Sequence, residues 1–492
     1  MKKLSELLKK VDIEISPEQD IEILDIVYDS REVKPGSLFI CLTGANVDGH
    51  DFVDKAVANG AAAILVEKKS ADFQNYIYQV PNTRVAMQKI VPYFFDYPAQ
   101  KMKLIGVTGT NGKTTTTNLI AHILCKAGYK VGLIGTIEVR YANQVIISKN
   151  TTPDVIDLQR ILYKMQLAGI EYVVMEVSSH ALELNRVAGC CFDIGVLTNI
   201  TQDHLDYHKT FENYVLAKAI LFSNLEQKDN TVAIFNNDDS STKILLEKSS
   251  ASFQRTYSLQ SNSDIYPVAY ELGMDSMHLK LNTPQGLLET SVATTGLFNV
   301  YNVMAAVATT LNCGVSIDVI VMALREFKSV AGRFELVKAG QPFTVVVDYA
   351  HTPDGLENVL KTARDITKGR LIVVFGCGGN RDKTKRPKMA AIAEKLADII
   401  VITSDNPRKE DPEQILLDVQ AGLKKPNSGN CHKILDRRQA IATALKLAKA
   451  RDIVLIAGKG HETYQILRDE TIHFDDCEVA RGVLEELGYV NK

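Results

Sequence analysis

The residues with the plainest chemical purpose stand together at Leu104–Thr117, LIGVTGTNGKTTTT. Gly106, Gly109 and Gly112 let backbone N–H groups curl around phosphate oxygens without Cβ clashes, and the helix that follows adds partial positive charge at its N-terminus. Lys113 is placed to reach β- and γ-phosphates, and the Thr114 hydroxyl is placed to ligate Mg²⁺. Thr110, Asn111 and Thr115 complete the cradle. The strict G-x-x-x-x-G-K-[ST] pattern is not met, because position 107 is valine and the first glycine comes one residue earlier. Context still favours phosphate binding over a Gly-rich turn. An apolar run leads in, and Leu119, Ile120, Ile123, Leu124 and Ala127 follow at helical spacing.

Other candidates are weaker when taken singly. Glu176 ends an apolar strand pattern, where α/β enzymes place ligands, although a solvated strand end fits equally well. His204 and His208 have the i, i+4 spacing of a helical metal pair, but no Glu-x-x-His frame or third nearby ligand supports zinc. In Phe211–Phe222 (FENYVLAKAILF), Lys218 shares a helix face with Phe211, Tyr214, Val215 and Phe222. It either snorkels to the surface or is buried, and a buried lysine must be paired, neutralised or modified. The run Lys383–Lys388 (KTKRPK) reads as a solvated or substrate-facing loop rather than a nucleic-acid patch.

These residues need elements to position them. A chain of 492 residues exceeds one core, and strand-like runs alternate with helical patterns almost throughout. Strands are expected at Lys103–Thr108, Glu171–Val177, Asp193–Ile200, Thr231–Phe235, Thr344–Tyr349, Leu371–Phe375, Ile399–Thr403 and Ile453–Ala457. Several are apolar on both faces, as buried parallel strands are. Breaks near Pro92–Lys101 and Val330–Glu335 divide the chain into 1–100, 101–331 and 332–492. The fold expected is α/β in three domains, with a central P-loop parallel-sheet ATPase-like domain and a C-terminal Rossmann-like domain.

The composition is that of a globular protein, 46% hydrophobic and 23% charged, with net charge −3, which offers no basic field for nucleic acid or an anionic membrane. No run approaches the ~18 apolar residues of a membrane span, and MKKLSELLKK lacks the apolar centre of a signal peptide. The eight cysteines are scattered, with no Cys-x-x-Cys. Reduced thiols and a cytoplasmic location are therefore expected.

The form GVTGTNGKTTT resembles the loop of the Mur ligases and the related folylpolyglutamate synthases. The resemblance continues in order along nearly the whole chain: DSREVKPGSLF and DGHDF in the first part, then NTTP, EVSSH and TNITQDHLD, then NVYNVMAA, GRFE, DYAHTP, GCGGNRDKTKRP and DNPRKEDP. The first-part segment is similar to the uridine-nucleotide-binding segment of the muramoyl-tripeptide-forming branch, which folylpolyglutamate synthases lack, as they lack DNPR. The resemblance implies an ATP- and Mg²⁺-dependent ligase of peptidoglycan synthesis, a monomer acting on small molecules. It would phosphorylate the D-glutamyl carboxylate of a UDP-N-acetylmuramoyl dipeptide, and an amine of the incoming amino acid would displace the phosphate.

The same resemblance assigns roles. Asn302, Arg333, Asp348 and His351 join the loop in holding ATP, with Arg333 brought over by domain closure. Glu176 and His204 become Mg²⁺ neighbours, and Lys218 matches a lysine carbamylated by CO₂, which turns a cation into an anionic ligand. Ser30, Asn150, Thr151, Thr152, Ser178 and Arg186 map onto the UDP-muramoyl-dipeptide site. The family often has Gln where this chain has Leu184, so one substrate hydrogen bond is missing or replaced. Asp405, Asn406, Pro407 and Arg408 resemble the signature for meso-diaminopimelate, with Arg408 directed at its far carboxylate and Arg381, Gly458 and Glu462 completing the pocket. A planar guanidinium suits that group. Lysine addition is the alternative, and folate polyglutamylation a more distant one. A P-loop switch or motor would leave DNPR and DYAHTP without a purpose, and a non-enzymatic sugar-nucleotide binder would explain only the first domain.

Overall fold

The computed structural model describes residues 1–44, 47–68, 76–426 and 428–489. They form three α/β domains, each built on a mostly or wholly parallel sheet. The first sheet has four parallel strands in the order Asp25–Val27, Ser37–Ile40, Ala63–Val66 and Ile77–Gln79. Helices Leu4–Lys9 and Thr83–Phe94 cover one face and Val53–Ala58 the other. Pro92 lies inside the last turn of its helix, and the chain turns after it at Asp96 and Tyr97, both with positive φ.

The central sheet has eight strands. The P-loop strand Lys103–Thr108 lies between Tyr172–Glu176 and Ile194–Leu197, parallel to both. Val131–Ile134 continues the parallel array on one side, followed by the antiparallel hairpin Glu138–Tyr141 and Gln144–Ile147. Val232–Asn236 and Phe253–Tyr257 extend the other side. The inner strands are apolar on both faces because helices cover both. Lys113–Lys126, Leu297–Asn312 and Ile317–Glu326 share one core, with an antiparallel meander of Tyr266–Leu272, Met277–Thr283 and Gly286–Val292. Val155–Leu167 and Phe211–Ser223 form the opposite core. The helix expected around Lys218 is present, but Phe211 is 40% exposed rather than on the buried face.

The third sheet runs Glu335–Val337, Thr344–Asp348, Ile453–Ala457, Leu371–Phe375, Ile399–Ile402 and Cys431–Lys433, with only the first strand antiparallel. Helices Pro353–Ile366, Lys385–Leu396 and Pro412–Gln420 pack on one face, and Arg437–Leu447 and Asp476–Glu486 on the other. Among the described residues no helix is long and apolar enough to cross a membrane.

Candidate active site

In both larger domains most of the candidate residues lie at or just beyond the C-terminal ends of parallel strands, the edge where open α/β sheets bind ligands, while Lys218 and Asn302 project from helices Phe211–Ser223 and Leu297–Asn312. The P-loop follows Lys103–Thr108, Glu176 closes Tyr172–Glu176, and His204 lies beyond Ile194–Leu197. In the third domain Asp348 and His351, Arg381, Asp405–Arg408, and Gly458–Glu462 follow four neighbouring parallel strands. The two edges face each other across a cavity of about 550 Å³ lined by Lys113, Thr114 and Glu176 from one domain and by Arg333, Asp348 and His351 from the other.

The loop is held by its own backbone and by neighbours. Gly109 has φ +148°, and a Cβ there would lie 1.9 Å from Thr198 Oγ1, so no other residue fits. Lys113 Nζ donates to the carbonyls of Gly109 and Thr110 at 2.8 and 2.9 Å. Asn111 takes a bond from its N–H to Asn199 Oδ1 at 3.0 Å, and its side-chain amide donates to Asp354 Oδ2 in the third domain at 2.7 Å. Gly112 opens the helix with Asn302 packed against it, and Asn302 accepts from Thr116 Oγ1 at 3.3 Å. Thr115 lines the cavity.

Glu176 is buried, not solvated. Its carboxylate accepts from Thr136 N at 2.8 Å, Thr136 Oγ1 at 3.0 Å and Thr114 Oγ1 at 3.1 Å. Arg333 crosses from the third domain: its Nη2 donates to Thr114 Oγ1 at 3.1 Å and its guanidinium stacks 4.5 Å from the Tyr349 ring centre. Asp348 accepts from Phe334 N and Ala350 N, each at 2.7 Å, and burial raises its carboxyl above the usual range. His351 Nδ1 lies 2.9 Å from the Tyr349 carbonyl, and burial lowers its basicity.

Lys218 does not snorkel. It is 1% exposed, donates to the Gly109 carbonyl at 2.9 Å, and sits 4.5 Å over the Tyr214 ring. Burial, and next the Lys113 charge, push its amine well below the ordinary lysine range. Tyr214 OH in turn lies 3.0 Å from Thr110 Oγ1. His204 has φ +54° and packs its ring against His180 at 4.9 Å, and burial lowers its pKa to about 3. His208 turns away from it. Its Nε2 is 2.9 Å from Ser179 Oγ and its Nδ1 2.8 Å from Glu183, so the i, i+4 pair makes no metal frame. Among the described residues no group of three or more His, Cys, Asp or Glu could hold a metal ion. The Thr114–Glu176 oxygen pair does suit a hard ion that keeps most positions for water and phosphate oxygens, as Mg²⁺ does.

Beside this lies a polar shelf. Thr151 Oγ1 accepts from Thr136 Oγ1 at 3.1 Å, and Thr152 Oγ1 donates to the Glu176 carbonyl at 2.8 Å. Ser178 N donates to Thr152 Oγ1 at 3.1 Å, and Ser178 Oγ caps the next helix. Arg186 reaches the Thr152 carbonyl at 3.4 Å. Asn150 is exposed at the shelf's end. Ser30 sits apart from these, beyond the strand Asp25–Val27, its carbonyl accepting from Asn59 at 2.9 Å. Its neighbour Tyr28 bonds Asp157, which ties that edge to the helix following the shelf. At Leu184 the carbonyl accepts from Gln88 Nε2 at 2.9 Å, so a side-chain amide of the first domain reaches this turn.

A second polar cluster lies behind Tyr349, whose OH is 3.4 Å from Glu462 Oε1. Asn406 Nδ2 donates to Glu462 Oε2 at 2.9 Å, and Asn406 N to Asp405 Oδ1 at 2.6 Å. Arg408, with φ +54°, is held by the carbonyls of Gly379 at 3.0 Å and Asn406 at 3.3 Å. Burial and the nearby Arg381 guanidinium both work against its charge, so the two cations share one space. Pro407 forms the turn between them, its carbonyl accepting from Glu410 N at 3.1 Å. Gly458 leaves room for Asp405, whose Oδ2 would be 2.8 Å from a Cβ there. The sequence assigned no role in the site to Thr136, Tyr349, Asp354 or Lys459, and read Tyr214 only as an apolar neighbour on the helix face of Lys218. Tyr214 and Tyr349 lay within motifs already quoted, whereas Thr136 and Lys459 carry no local signal beyond adjacent glycines.

A P-loop sheet and the strand-end edge of a third domain facing each other across one polar cavity define an α/β nucleotide-binding enzyme. The chain belongs to the Mur ligase family: the profile of the Mur ligase middle domain matches residues 107–310, that of the glutamate ligase domain 332–460, and that of the family's catalytic domain 22–93. A Bacillus velezensis relative named UDP-N-acetylmuramoyl-L-alanyl-D-glutamate–2,6-diaminopimelate ligase is 49% identical over 472 residues, covering 95% of each chain. A solved structure of a ligase with that name is 34% identical, with TM-score 0.69 and coverage of 99% and 100%. The Thermotoga maritima MurF ligase in complex with ADP is 18% identical, with TM-score 0.66 and coverage of 94% and 97%, a likeness of fold.

Proposed function

We propose that this chain is an ATP-dependent amide ligase adding meso-2,6-diaminopimelate to the D-glutamyl residue of UDP-N-acetylmuramoyl-L-alanyl-D-glutamate, in peptidoglycan synthesis. The observation that carries this reading is Tyr349, which touches Arg333 of the phosphate cavity on one side and Glu462, in the cluster with Asn406 and Lys459, on the other. The identity to ligases named for this reaction supports it, and the ADP-bound relative supports the nucleotide.

Residues 1–100 would hold the uridine end, 101–331 ATP, and 332–492 the amino acid. Loop amides and Lys113 hold the β- and γ-phosphates, and Arg333 adds charge from the facing domain. The shelf of Thr151, Thr152, Ser178 and Arg186 orients the dipeptide so that its carboxylate attacks the γ-phosphorus, breaking the bond to the β,γ-bridging oxygen and expelling ADP. The acyl phosphate formed is then attacked by the amine of diaminopimelate, and phosphate leaves. Thr114, Glu176, His204 and a carbamylated Lys218 would hold Mg²⁺, which when bound neutralises phosphate charge. Arg408 and Arg381 take the far carboxylate, and Glu462 its amine. The reading places a monomer in the cytoplasm, acting on small molecules.

The test is phosphate release with ATP, Mg²⁺ and the UDP-muramoyl dipeptide, with meso-diaminopimelate or L-lysine supplied in parallel, for wild type and Arg408→Ala. Turnover with diaminopimelate that the substitution abolishes is expected. Turnover with lysine instead would overturn the specificity, and phosphate release indifferent to any acceptor would overturn the ligase.

A further inference from the structure

We propose that Lys459 is a positioning residue that sets acceptor choice, and this rests on reading the cluster of Asn406, Arg408 and Glu462 as the amino-acid site. Lys459 stands between Gly458 and Gly460, whose φ values of +120° and +53° turn the loop so that its side chain points inward. It is 0% exposed, among the largest fully buried side chains in the molecule. Its Nζ lies 3.1 Å from Glu462 Oε2 and 3.3 Å from Asn406 Oδ1, and 5.5 Å over the Tyr464 ring.

Asn406 Nδ2 donates to the same Glu462 Oε2 at 2.9 Å. That oxygen is therefore saturated by two donors. Oε1 has only the Tyr349 hydroxyl at 3.4 Å, a long contact, and the Glu462 side chain keeps 14% exposure. The carboxylate is thus fixed with one oxygen left for an incoming ammonium.

Charge balance gives the second consequence. Arg381, Arg408, Lys459 and Arg437 are set against Asp405, Glu462 and Asp476, Arg437 acting on Asp405 as well as on its buried partner Asp476. Because Lys459 already neutralises Glu462, the pocket has a surplus of cation. A substrate end bearing both ammonium and carboxylate fits this balance. An end bearing ammonium alone, as in lysine, is repelled by the surplus. Lys459 therefore works against lysine without touching it.

The experiment measures kcat and KM for meso-diaminopimelate and L-lysine in the full-length enzyme, for wild type, Lys459→Met, Glu462→Gln and Lys459→Met/Glu462→Gln. Lys459→Met is expected to lower the ratio of kcat/KM for diaminopimelate over lysine about tenfold, with KM for ATP within about twofold. Part of that drop should be improved use of lysine, which structural damage does not produce. The double variant leaves no unpaired buried charge and keeps the test open if Lys459→Met fails to fold. In the Glu462→Gln background, Lys459→Met should change the ratio by less than about twofold. An unchanged ratio in folded Lys459→Met, or an equal drop in both backgrounds, overturns the inference while leaving the ligase reading intact. Failure of wild type to use diaminopimelate overturns both.

Discussion

Lys113 and Lys218, from helices at opposite faces of the central sheet, donate to the same carbonyl oxygen, that of Gly109, at 2.8 and 2.9 Å. Two ammonium groups sharing one neutral acceptor repel each other, and both are pushed toward the neutral amine, chiefly by burial. A neutral amine is the form that reacts with CO₂, and the carbamate formed would exchange repulsion for attraction toward Lys113.

Lys218→Met should accordingly separate stability from activity. Removing a buried amine without a carboxylate partner is expected to leave the protein as stable as wild type or more so, by about 1 kcal/mol, roughly 2–4 °C in Tm. Turnover should fall by about 10²–10³-fold. Thermal melts without ligand, set beside phosphate release, check this. A large loss of stability would mean that the Gly109 bond and the Tyr214 contact outweigh burial.

Gly135→Ala should act through Glu176. A Cβ at position 135 would lie 2.6 Å from Glu176 Oε1, the end of a flexible side chain, so the carboxylate is displaced rather than the backbone. Activity is expected to drop about tenfold or more while stability changes by less than about 1 kcal/mol. The check is kcat against urea midpoint.

Asp354→Asn should change how stability depends on pH. Burial raises the Asp354 carboxyl above 3.8, outweighing its bonds from Thr201 and Asn111. A raised carboxyl binds more protons in the folded state, so its contribution is fully present below pH 3.8 and is lost as pH rises through the folded value. Asp354→Asn should therefore be at least as stable as wild type near neutrality, the difference vanishing as the pH falls. Melts across that range would show parallel curves if Asp354 were unshifted.

Arg333→Lys should be far from conservative. Lysine keeps the charge but loses both the planar stack on Tyr349 and the Nη2 bond to Thr114. An approximately tenfold or greater loss in kcat/KM for ATP is expected, with the fold intact. Steady-state kinetics with varied ATP would refute this if both constants stayed near wild type.

The long, doubly apolar strands were legible from residue pattern alone, and the structure places strands at all eight expected positions within a few residues. The first sheet was not, because strands such as Asp25–Val27 and Ile77–Gln79 are three residues long, too short for periodicity to register. The meander Met277–Thr283 and Gly286–Val292 did carry alternation, buried and exposed in turn, that could have been read. Phe211 was misplaced because a helix can turn its first side chain to solvent while keeping the spacing of a buried one.

The sequence by itself determined the family, the phosphate loop and the order of motifs, since these depend on residue types at short spacing. Glycines, a lysine and a threonine in a row keep their chemistry wherever the sheet lies. What only the tertiary structure decided was partnership. Thr136 meets Glu176 across 40 residues, Lys218 meets Gly109 across 109, and Asn111 meets Asp354 across 243. Parallel sheets bring distant strand ends to one edge, so the groups that share a charge or a hydrogen bond there are set by strand order and burial, and neither is written in local sequence.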